Sequence, residues 1–411
     1  MKTHELFGKK NCICQNLKIS SLAGIKRLFF GILICPVLLL AACSSKNDDF
    51  IRIGFIGPLS GEAAVFGIDC LNGVQLAVDE INHSGGVFGK EIRLIFEDDE
   101  ANPEKTMNVY NLITTRDSLN LIIGSLTSGA TRAITDKAQA QQVLLMVPAA
   151  TNVKVTDAGD YIFRACYTDP FQGSVGALFA LRELGSKKAA VLYDNGKDYS
   201  VSLKDKFVNI LQAEGCDIVA LESYITNDKD FNAQITKIKS ANPDVVYIPD
   251  YYLTVALIAK QLRAQGINTP IVGADGWDGL TDNAGDEVLN GFYSNHYAPD
   301  SDNPKVVQFV KNYETRYKKV PTSFAALGYD ACYLVKDAIA DTGESALIYN
   351  NGKVTLDSNA IKNTLAKTNG DYLTGHFTFD AHRDPIKSAV IVELVKESGK
   401  LKTRYKTTIS P

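Results

Sequence analysis

The chain has 411 residues, with 43 Lys and Arg against 47 Asp and Glu. Residues 1–42 hold six of the basic residues and one of the acidic ones, so residues 43–411 carry a formal net charge of −9. No dense Lys/Arg block interrupts this acidic balance, which argues against nucleic acid as a partner, because nucleic-acid binding depends on a basic surface.

The first element in chain order is an export signal. The apolar stretch Leu28–Leu40 follows a Lys-Arg pair and runs into Ala41-Ala42-Cys43; it is shorter than a membrane-spanning helix needs. A basic segment, a short apolar run and small residues before a cleavage point are typical of secretory signals. Because Cys43 directly follows Leu-Ala-Ala, the segment resembles a bacterial lipoprotein signal. The resemblance implies that residues 1–42 are removed, that Cys43 is lipidated and that the protein is extracytoplasmic and anchored to a bacterial membrane. The polar segment 1–24 precedes this signal and makes it unusually long, so the sequence does not decide which codon is the true start.

Short apolar runs rich in Val and Ile then alternate with segments of helical periodicity. Such runs are typical of strands buried on both faces of a parallel sheet. The first series of predicted strands is Ile51–Gly57, Ile92–Glu97, Leu121–Gly124, Val143–Val147 and Tyr161–Arg164. The second series is Lys188–Tyr193, Asp217–Ser223, Asp244–Pro249 and Pro270–Gly273.

Helices are predicted between these strands. Asn102-Pro103-Glu104 has the cap, the proline and the acid of a helix start, and Gly85-Gly86 ends the helix before it. Further helices are predicted at 129–141, 170–184, 200–214, 231–241, 253–265, 304–318 and 323–341. A strand-like hairpin of Gly375–Asp380 and Ala389–Val395 follows.

Alternating strands and helices predict βαβ units with right-handed crossovers. The sequence therefore predicts an α/β fold with two doubly wound, Rossmann-like lobes joined by hinge crossovers. Lobe one is predicted to comprise residues 50–168 and about 299–374, and lobe two residues 169–298 and about 375–411. The length suffices for two domains of ordinary size.

The motifs of common enzyme classes are missing. No G-x-G-x-x-G follows the first strand, and the chain has no Walker motif and no G-x-S-x-G elbow. The five histidines, His4, His83, His296, His376 and His382, never pair at metal-ligand spacing. We therefore expect no metal, no cofactor and no enzymatic activity.

Two other features allow more than one interpretation. Asp98-Asp99 could bind a cation, but a solvated loop after a strand is the simpler interpretation. The scattered cysteines favour small buried side chains, although export leaves a disulfide open; they are Cys70, Cys166, Cys216 and Cys332.

A colinear set of motifs extends over residues 50–395. It comprises Ile53–Gly61, Phe66-Gly67, Asn72–Asn82, Gly85–Lys90 and Glu97–Asp99, then Pro148–Asn152, Phe163-Arg164, Asp228–Phe231 and Gly328–Ala331. In these motifs the chain resembles the periplasmic leucine/isoleucine/valine-binding protein family, the substrate-binding components of branched-chain amino-acid ABC transporters. The resemblance implies a type I periplasmic binding protein fold that holds an amino acid between two lobes.

The resemblance also implies the ligand contacts. Ser128 and Thr151 would hold the α-carboxylate, while Asp275 and the Ala149 carbonyl would hold the α-ammonium group. The aromatic positions fall on Phe66, Tyr199, Tyr251 and Phe324.

The chemistry of these residues agrees with the assignment. Ser128 begins a predicted helix, where free N–H groups favour an anion, and hydroxyls donate without adding a counter-charge. Asp275 can neutralise an ammonium group in a dry cleft. Ser128, Thr151 and Asp275 each follow a predicted strand, which is where doubly wound sheets bind ligands.

The chain also departs from the family pattern. Asp275 stands where branched-chain binders usually have Glu. Ala101 and Thr127 occupy the two positions of the family's small disulfide, so Thr127 is predicted to place a hydroxyl at the pocket wall. Trp277 is predicted on the cleft wall because it lies two residues from Asp275. These departures leave the preferred side chain of the ligand open.

The sequence thus predicts a lipid-anchored solute-binding protein that delivers an amino acid, branched-chain or otherwise apolar, to an ABC permease. Three alternatives remain: the same fold binding an amide, urea or aromatic acid; a sensor or scaffold lipoprotein; and an enzyme hidden in the cleft.

Overall fold

The computed structural model describes residues 49–350 and 353–410. Cys43 and the predicted signal lie outside the described residues. Within the described part of the chain, no helix is long and apolar enough to cross a membrane.

The first sheet has five parallel strands. They are β1 (Ile51–Gly57), β2 (Ile92–Asp98), β3 (Leu121–Gly124), β4 (Leu144–Val147) and β5 (Ile162–Arg164). Their order is β2-β1-β3-β4-β5. β3 and β4 are buried along their whole length, as expected for strands covered on both faces.

Helices from two parts of the chain pack on this sheet. The first part supplies α1 (Ala64–His83), α2 (Pro103–Thr115) and α3 (Ser128–Gln141). A later part supplies α9 (Pro304–Tyr317), α10 (Ser323–Thr342) and α11 (Ser358–Leu365), with α10 lying along α1. We call this sheet and these helices lobe one.

Local sequence explains the helix ends that were predicted. The Asn102 side chain accepts hydrogen bonds from the N–H groups of Glu104 and Lys105, both at 3.0 Å, at the start of α2. After α1, Gly86 has a φ of 71°, and a Cβ there would lie 2.1 Å from the Lys90 carbonyl oxygen. Only glycine fits this turn.

The second sheet has seven strands. They are β6 (Lys188–Asp194), β7 (Asp217–Tyr224), β8 (Val245–Tyr247), β9 (Ile271–Gly273), β10 (Gly291–Asn295), β15 (Ala389–Glu397) and β16 (Lys400–Ile409), in the order β16-β15-β10-β9-β8-β6-β7. The helices between them are α4 (Asp169–Arg182), α5 (Asp198–Ala213), α6 (Asn232–Ala241), α7 (Tyr252–Ala264) and the short α8 (Leu280–Asn283). β15 runs antiparallel to both of its neighbours, β10 and β16. We call this sheet and these helices lobe two.

The two lobes repeat one strand order. β2-β1-β3-β4-β5 in lobe one corresponds to β7-β6-β8-β9-β10 in lobe two, and this is a common order of doubly wound sheets. The α/β fold with two doubly wound lobes is therefore confirmed. The chain passes between the lobes at residues 165–168, 296–303 and 379–388, which we call the first, second and third crossovers. The lobe boundaries given above stay a prediction.

The predicted pairing of Gly375–Asp380 with Ala389–Val395 is wrong. β14 (Gly375–Thr378) pairs with β13 (Asn369–Tyr372), whereas β15 pairs with β10 and β16. The third crossover separates the two segments, so strands that are close in sequence belong to different sheets. β10, β16 and the hairpin of β11 (Leu347–Asn350) and β12 (Lys353–Leu356) have no counterpart among the predicted strands.

Two smaller interpretations can be decided. Cys70, Cys166, Cys216 and Cys332 are free and buried, so their interpretation as small buried side chains is confirmed. Asp99 is fully buried and accepts hydrogen bonds from the hydroxyls of Ser125 and Thr106. The solvated-loop interpretation is therefore wrong for Asp99.

Candidate functional site

The predicted site residues follow the carboxyl ends of equivalent strands in the two lobes. In lobe one, Phe66 follows β1, Ser128 follows β3 and Thr151 follows β4. In lobe two, Tyr199 follows β6, Tyr251 follows β8 and Asp275 follows β9. The winding of each sheet reverses between β1 and β3 and between β6 and β8, and doubly wound sheets bind ligands at such a reversal. Chain topology therefore brings these residues to one place.

A small cavity lies among these residues, with about 10 Å³ of room for the centre of a water molecule. It is lined by Phe66, Leu126, Thr127, Ser128, Ala149, Thr151, Tyr199, Tyr251, Asp275, Gly276 and Phe324. A space of that size holds about one water molecule, so the lining side chains nearly fill the cavity. It brings together every residue that the sequence predicted to contact a ligand except Trp277.

Trp277 does not line the cavity. Its side chain is fully buried, and its Nε1 donates to the Ile248 carbonyl at 2.8 Å. The 3₁₀ turn Asp275–Trp277 places the indole in the hydrophobic core. The expectation that nearness to Asp275 puts Trp277 on the cleft wall is therefore not met.

Two hydroxyls form the lobe-one end of the cavity. Ser128 is 2% exposed and Thr151 is fully buried, and neither hydroxyl has a hydrogen-bond partner among the described residues. α3 begins at Ser128, and the capping position, Thr127, makes no side-chain cap. An unpaired buried hydroxyl costs about 1–3 kcal/mol, and the positive end of α3 favours an anion. This end of the cavity is suited to a carboxylate.

Arg164 fixes the segment that carries Thr151. The side chain is fully buried, and its Nη1 donates to the carbonyls of Ala150 and Asn152, both at 3.0 Å. Its Nε lies 2.6 Å from Asp384 Oδ1 on the third crossover. One side chain thus joins β5, the Thr151 segment and a crossover.

Asp275 forms the lobe-two end of the cavity. It is 2% exposed, and its Oδ1 accepts the Tyr199 hydroxyl at 2.7 Å. The same hydroxyl accepts the N–H of Gly276 at 2.9 Å. His296 Nε2 lies 3.1 Å from the other oxygen, Oδ2. A buried carboxylate held by these donors can pair with a cationic group.

Aromatic rings close the space between the two ends. Phe66 stacks on Phe324 with ring centroids 4.1 Å apart and planes at 11°. Its edge meets Tyr251 at 5.4 Å, and Tyr251 lies 5.1 Å from Tyr199. Phe66 and Phe324 come from lobe one and the tyrosines from lobe two, so the apolar wall exists only where the lobes meet.

Asp169 is a buried acid that the sequence analysis did not identify. It begins α4, and its N–H donates to the Thr151 carbonyl at 2.9 Å. Neither carboxylate oxygen has a partner of good geometry among the described residues. Burial raises the pKa of Asp169 to about 7; the Thr151 hydroxyl lies near enough to oppose this shift but makes no hydrogen bond of good geometry. No local pattern marks Asp169 or His296, because their surroundings come from distant parts of the chain.

A larger groove of about 1110 Å³ lies elsewhere, between α1, α9, α10, α11 and the β13–β14 hairpin. The hydroxyls of Tyr329 and Tyr333 already donate to Glu80, at 2.6 and 3.2 Å, and Tyr372 donates to Asp337 at 3.0 Å. The groove is open to solvent and belongs to lobe one alone. A ligand there would not join the lobes.

No group of three or more His, Cys, Asp or Glu side chains is placed to hold a metal ion within residues 49–350 and 353–410.

Comparisons with known proteins agree with this geometry. The periplasmic binding protein family model matches residues 51–400. The Leu/Ile/Val-binding protein BraC3 of Rhizobium johnstonii is 32% identical over 302 residues, which cover 72% of this chain and 80% of the relative. LivJ of Streptococcus pneumoniae, a branched-chain amino acid transporter substrate-binding protein solved with isoleucine, has a TM-score of 0.79 and 31% identity, covering 88% of this chain and all of LivJ.

A more distant structure shows the fold alone. It is a solute-binding protein of an ABC transporter from Rhodopseudomonas palustris, in complex with 3,4-dihydroxybenzoic acid. Its TM-score is 0.79 at 23% identity, covering 88% of this chain and 98% of that one.

The chain belongs to the periplasmic binding protein family. The type I fold and the resemblance to Leu/Ile/Val-binding proteins, both predicted from the sequence, are confirmed. The matched relatives are solute-binding proteins, and family membership implies a location outside the cytoplasm.

Proposed function

We propose that this protein captures a free amino acid, branched-chain or otherwise apolar, between its lobes and delivers it to an ABC permease without chemical change. The observation that carries the proposal is the polarity of the cavity. Unpaired hydroxyls and a helix N-terminus lie at one end, Asp275 lies at the other, and aromatic rings lie between. A zwitterion with an apolar side chain matches this order.

The contacts in the cavity can supply the binding free energy that ligand capture requires. Micromolar capture requires about 8 kcal/mol. One buried ion pair, charge-assisted hydrogen bonds of about 1.5–3 kcal/mol each and the burial of an apolar side chain can supply it.

A ligand screen tests the proposal. Thermal shift and calorimetric titration of the purified protein would compare the twenty amino acids with amides, urea and benzoate. We expect apolar amino acids to stabilise the protein most. Tighter binding of benzoate, or of a ligand without an α-ammonium group, would overturn the amino-acid assignment in favour of an amide or aromatic-acid binder. If amino-acid uptake through a permease encoded beside this protein does not depend on the protein, a sensor role is supported instead.

We also propose that a lipid on Cys43 anchors the protein at the membrane. The order of the basic pair, the apolar run and Ala41-Ala42-Cys43 supports this anchor. Cys43→Ala should abolish processing and release the protein from the membrane fraction, whereas Cys70→Ala, at a buried cysteine, should leave fractionation unchanged. A Cys43→Ala protein that is still processed and retained would exclude lipidation at this position.

A further inference from the structure

His296 lies behind Asp275, where the chain leaves lobe two. It directly follows β10 on the second crossover and is 2% exposed. Its Nε2 is 3.1 Å from Asp275 Oδ2, while Tyr199 occupies Oδ1. Both oxygens of Asp275 are thus engaged, independently of a ligand, by one side chain of α5 and one of the second crossover.

The protonation of His296 decides what it does to Asp275. Burial lowers the pKa of His296 to about 4; Asp275 opposes this shift and Lys387 adds to it. The ring is therefore neutral near pH 7. Because a carboxylate only accepts hydrogen bonds, we assign the single ring proton to Nε2. A neutral donor orients the Asp275 carboxylate and leaves its negative charge for the ligand.

The His296 ring is itself held in place. It stacks on Tyr167 with centroids 3.8 Å apart and planes at 23°. Tyr167 lies on the first crossover, and its hydroxyl accepts from Gln172 Nε2 at 3.3 Å. The stack therefore connects the first and second crossovers to Asp275. The His296 ring cannot turn away from Asp275 without breaking its stacking on Tyr167.

We propose that His296 is a positioning residue that aims Asp275 at the ligand ammonium group, and thereby makes the cavity select amino acids over carboxylic acids with the same side chain. The inference rests on the proposed function. A carboxylic acid that lacks the amino group can still use Ser128 and Thr151, but it leaves Asp275 buried without a cation, which is costly. The selectivity therefore depends on a correctly oriented Asp275 carboxylate.

Three variants test this role. His296→Leu removes the donor and keeps an apolar side chain, His296→Gln places an amide N–H at about the reach of Nε2, and His382→Leu removes an exposed histidine as the control. Calorimetry would measure dissociation constants for the best amino acid and for its deamino analogue. The readout is the ratio of the two constants, since a loss of general stability weakens both ligands alike.

We expect His296→Leu to reduce this selectivity ratio about tenfold or more, equivalent to about 1.4 kcal/mol, mainly through weaker binding of the amino acid. His296→Gln should restore most of the ratio, and His382→Leu should not change it. If His296→Leu keeps the selectivity ratio of the parent protein, or if both ligands lose the same affinity, the inference about His296 is wrong while the proposed function stands. If His296→Leu does not fold, a tenfold lower ratio in His296→Asn than in His296→Gln supports the inference and equal ratios overturn it, because the shorter amide cannot reach Asp275. A parent protein that binds no amino acid overturns the proposed function first.

Discussion

In the proposed function, two residues divide the recognition of a zwitterion between the lobes. Asp275 offers a charge from lobe two, and Ser128 offers a hydroxyl from lobe one, each at most 2% exposed. Replacing Asp275 by Asn keeps the size but leaves the ligand ammonium group without a counter-charge. We expect a loss of about 2–5 kcal/mol in binding free energy, as for other broken buried charge pairs.

Ser128→Ala is the matched change at the other end. It removes one charge-assisted hydrogen bond and keeps the start of α3, so the expected loss is smaller, about 1–3 kcal/mol. Calorimetric titration with the best amino acid measures both variants. Parental affinity in Asp275→Asn would show that this carboxylate does not hold the ligand.

The buried acid Asp169 predicts a pH-dependent stability. Its pKa is raised to about 7 in the folded protein, against about 3.9 when unfolded. Between these values the folded state binds more protons than the unfolded state, so this group lowers the free energy of unfolding as pH rises from about 4 to 7. Asp169→Asn imitates the protonated form and should remove that loss.

Urea unfolding of the ligand-free protein at pH 4, 5.5 and 8 measures the effect. We expect the parent and Asp169→Asn to have the same free energy of unfolding at pH 4. At pH 8 the free energy of unfolding of the variant should be higher, by up to about 4 kcal/mol. Asp341→Asn, at an exposed carboxylate on α10, is the control. A difference independent of pH would mean that Asp169 does not titrate in this range.

The residues that were found from the sequence and those that were missed differ in kind. Ser128, Thr151 and Asp275 each follow a predicted strand, at positions to which the family resemblance assigns ligand contacts, so the sequence alone identifies them as candidates. His296 and Asp169 acquire their roles from Asp275 and Thr151, which are distant in sequence. Trp277 shows the converse, because a single 3₁₀ turn directs it away from its neighbour's cavity.

At the scale of elements, Arg164 joins β5 to the Thr151 segment and the third crossover. Arg164→Met would leave Asp384, 8% exposed, without its cation and two backbone carbonyls without their donor. We expect a loss of about 3–5 kcal/mol in the free energy of unfolding, measured by urea denaturation, together with weaker ligand binding.

A second change separates the charge from the packing. Arg164→Met combined with Asp384→Asn removes the stranded carboxylate, so the double variant should recover part of the stability lost by Arg164→Met. Additive losses in the two single variants would indicate that the pair is not coupled.

The elements that the sequence did not predict have weak local signals. β10 ends in the polar residues Ser294 and Asn295, and β16 alternates Lys or Arg with Leu, Thr or Tyr over residues 400–407, which is typical of an edge strand with one exposed face. The β13–β14 pairing depends on where the chain crosses between lobes. By contrast, β3 and β4 of the first sheet are short apolar runs in which every residue is buried, and such runs mark strands without tertiary information.

At the scale of the whole molecule, polar contacts join the lobes around the cavity. Asp278, just after the turn that carries Asp275, accepts the Ser323 N–H at 2.5 Å at the start of α10. Arg132 on α3 of lobe one pairs with Asp198 on α5 of lobe two. Phe324 directly follows Ser323 and lines the cavity, so the contact between Asp278 and Ser323 lies next to the proposed ligand site.

Closure by the ligand follows from this division of contacts. A molecule that binds groups of both lobes stabilises the closed state by its differential affinity for it. Small-angle scattering should therefore show a smaller radius of gyration at a saturating concentration of the best amino acid. Asp275→Asn at the same concentration is the control, and it should stay near the ligand-free value. If the parent profile is unchanged while calorimetry reports binding, the cleft is rigid, and the permease must recognise the loaded protein by something other than its closure.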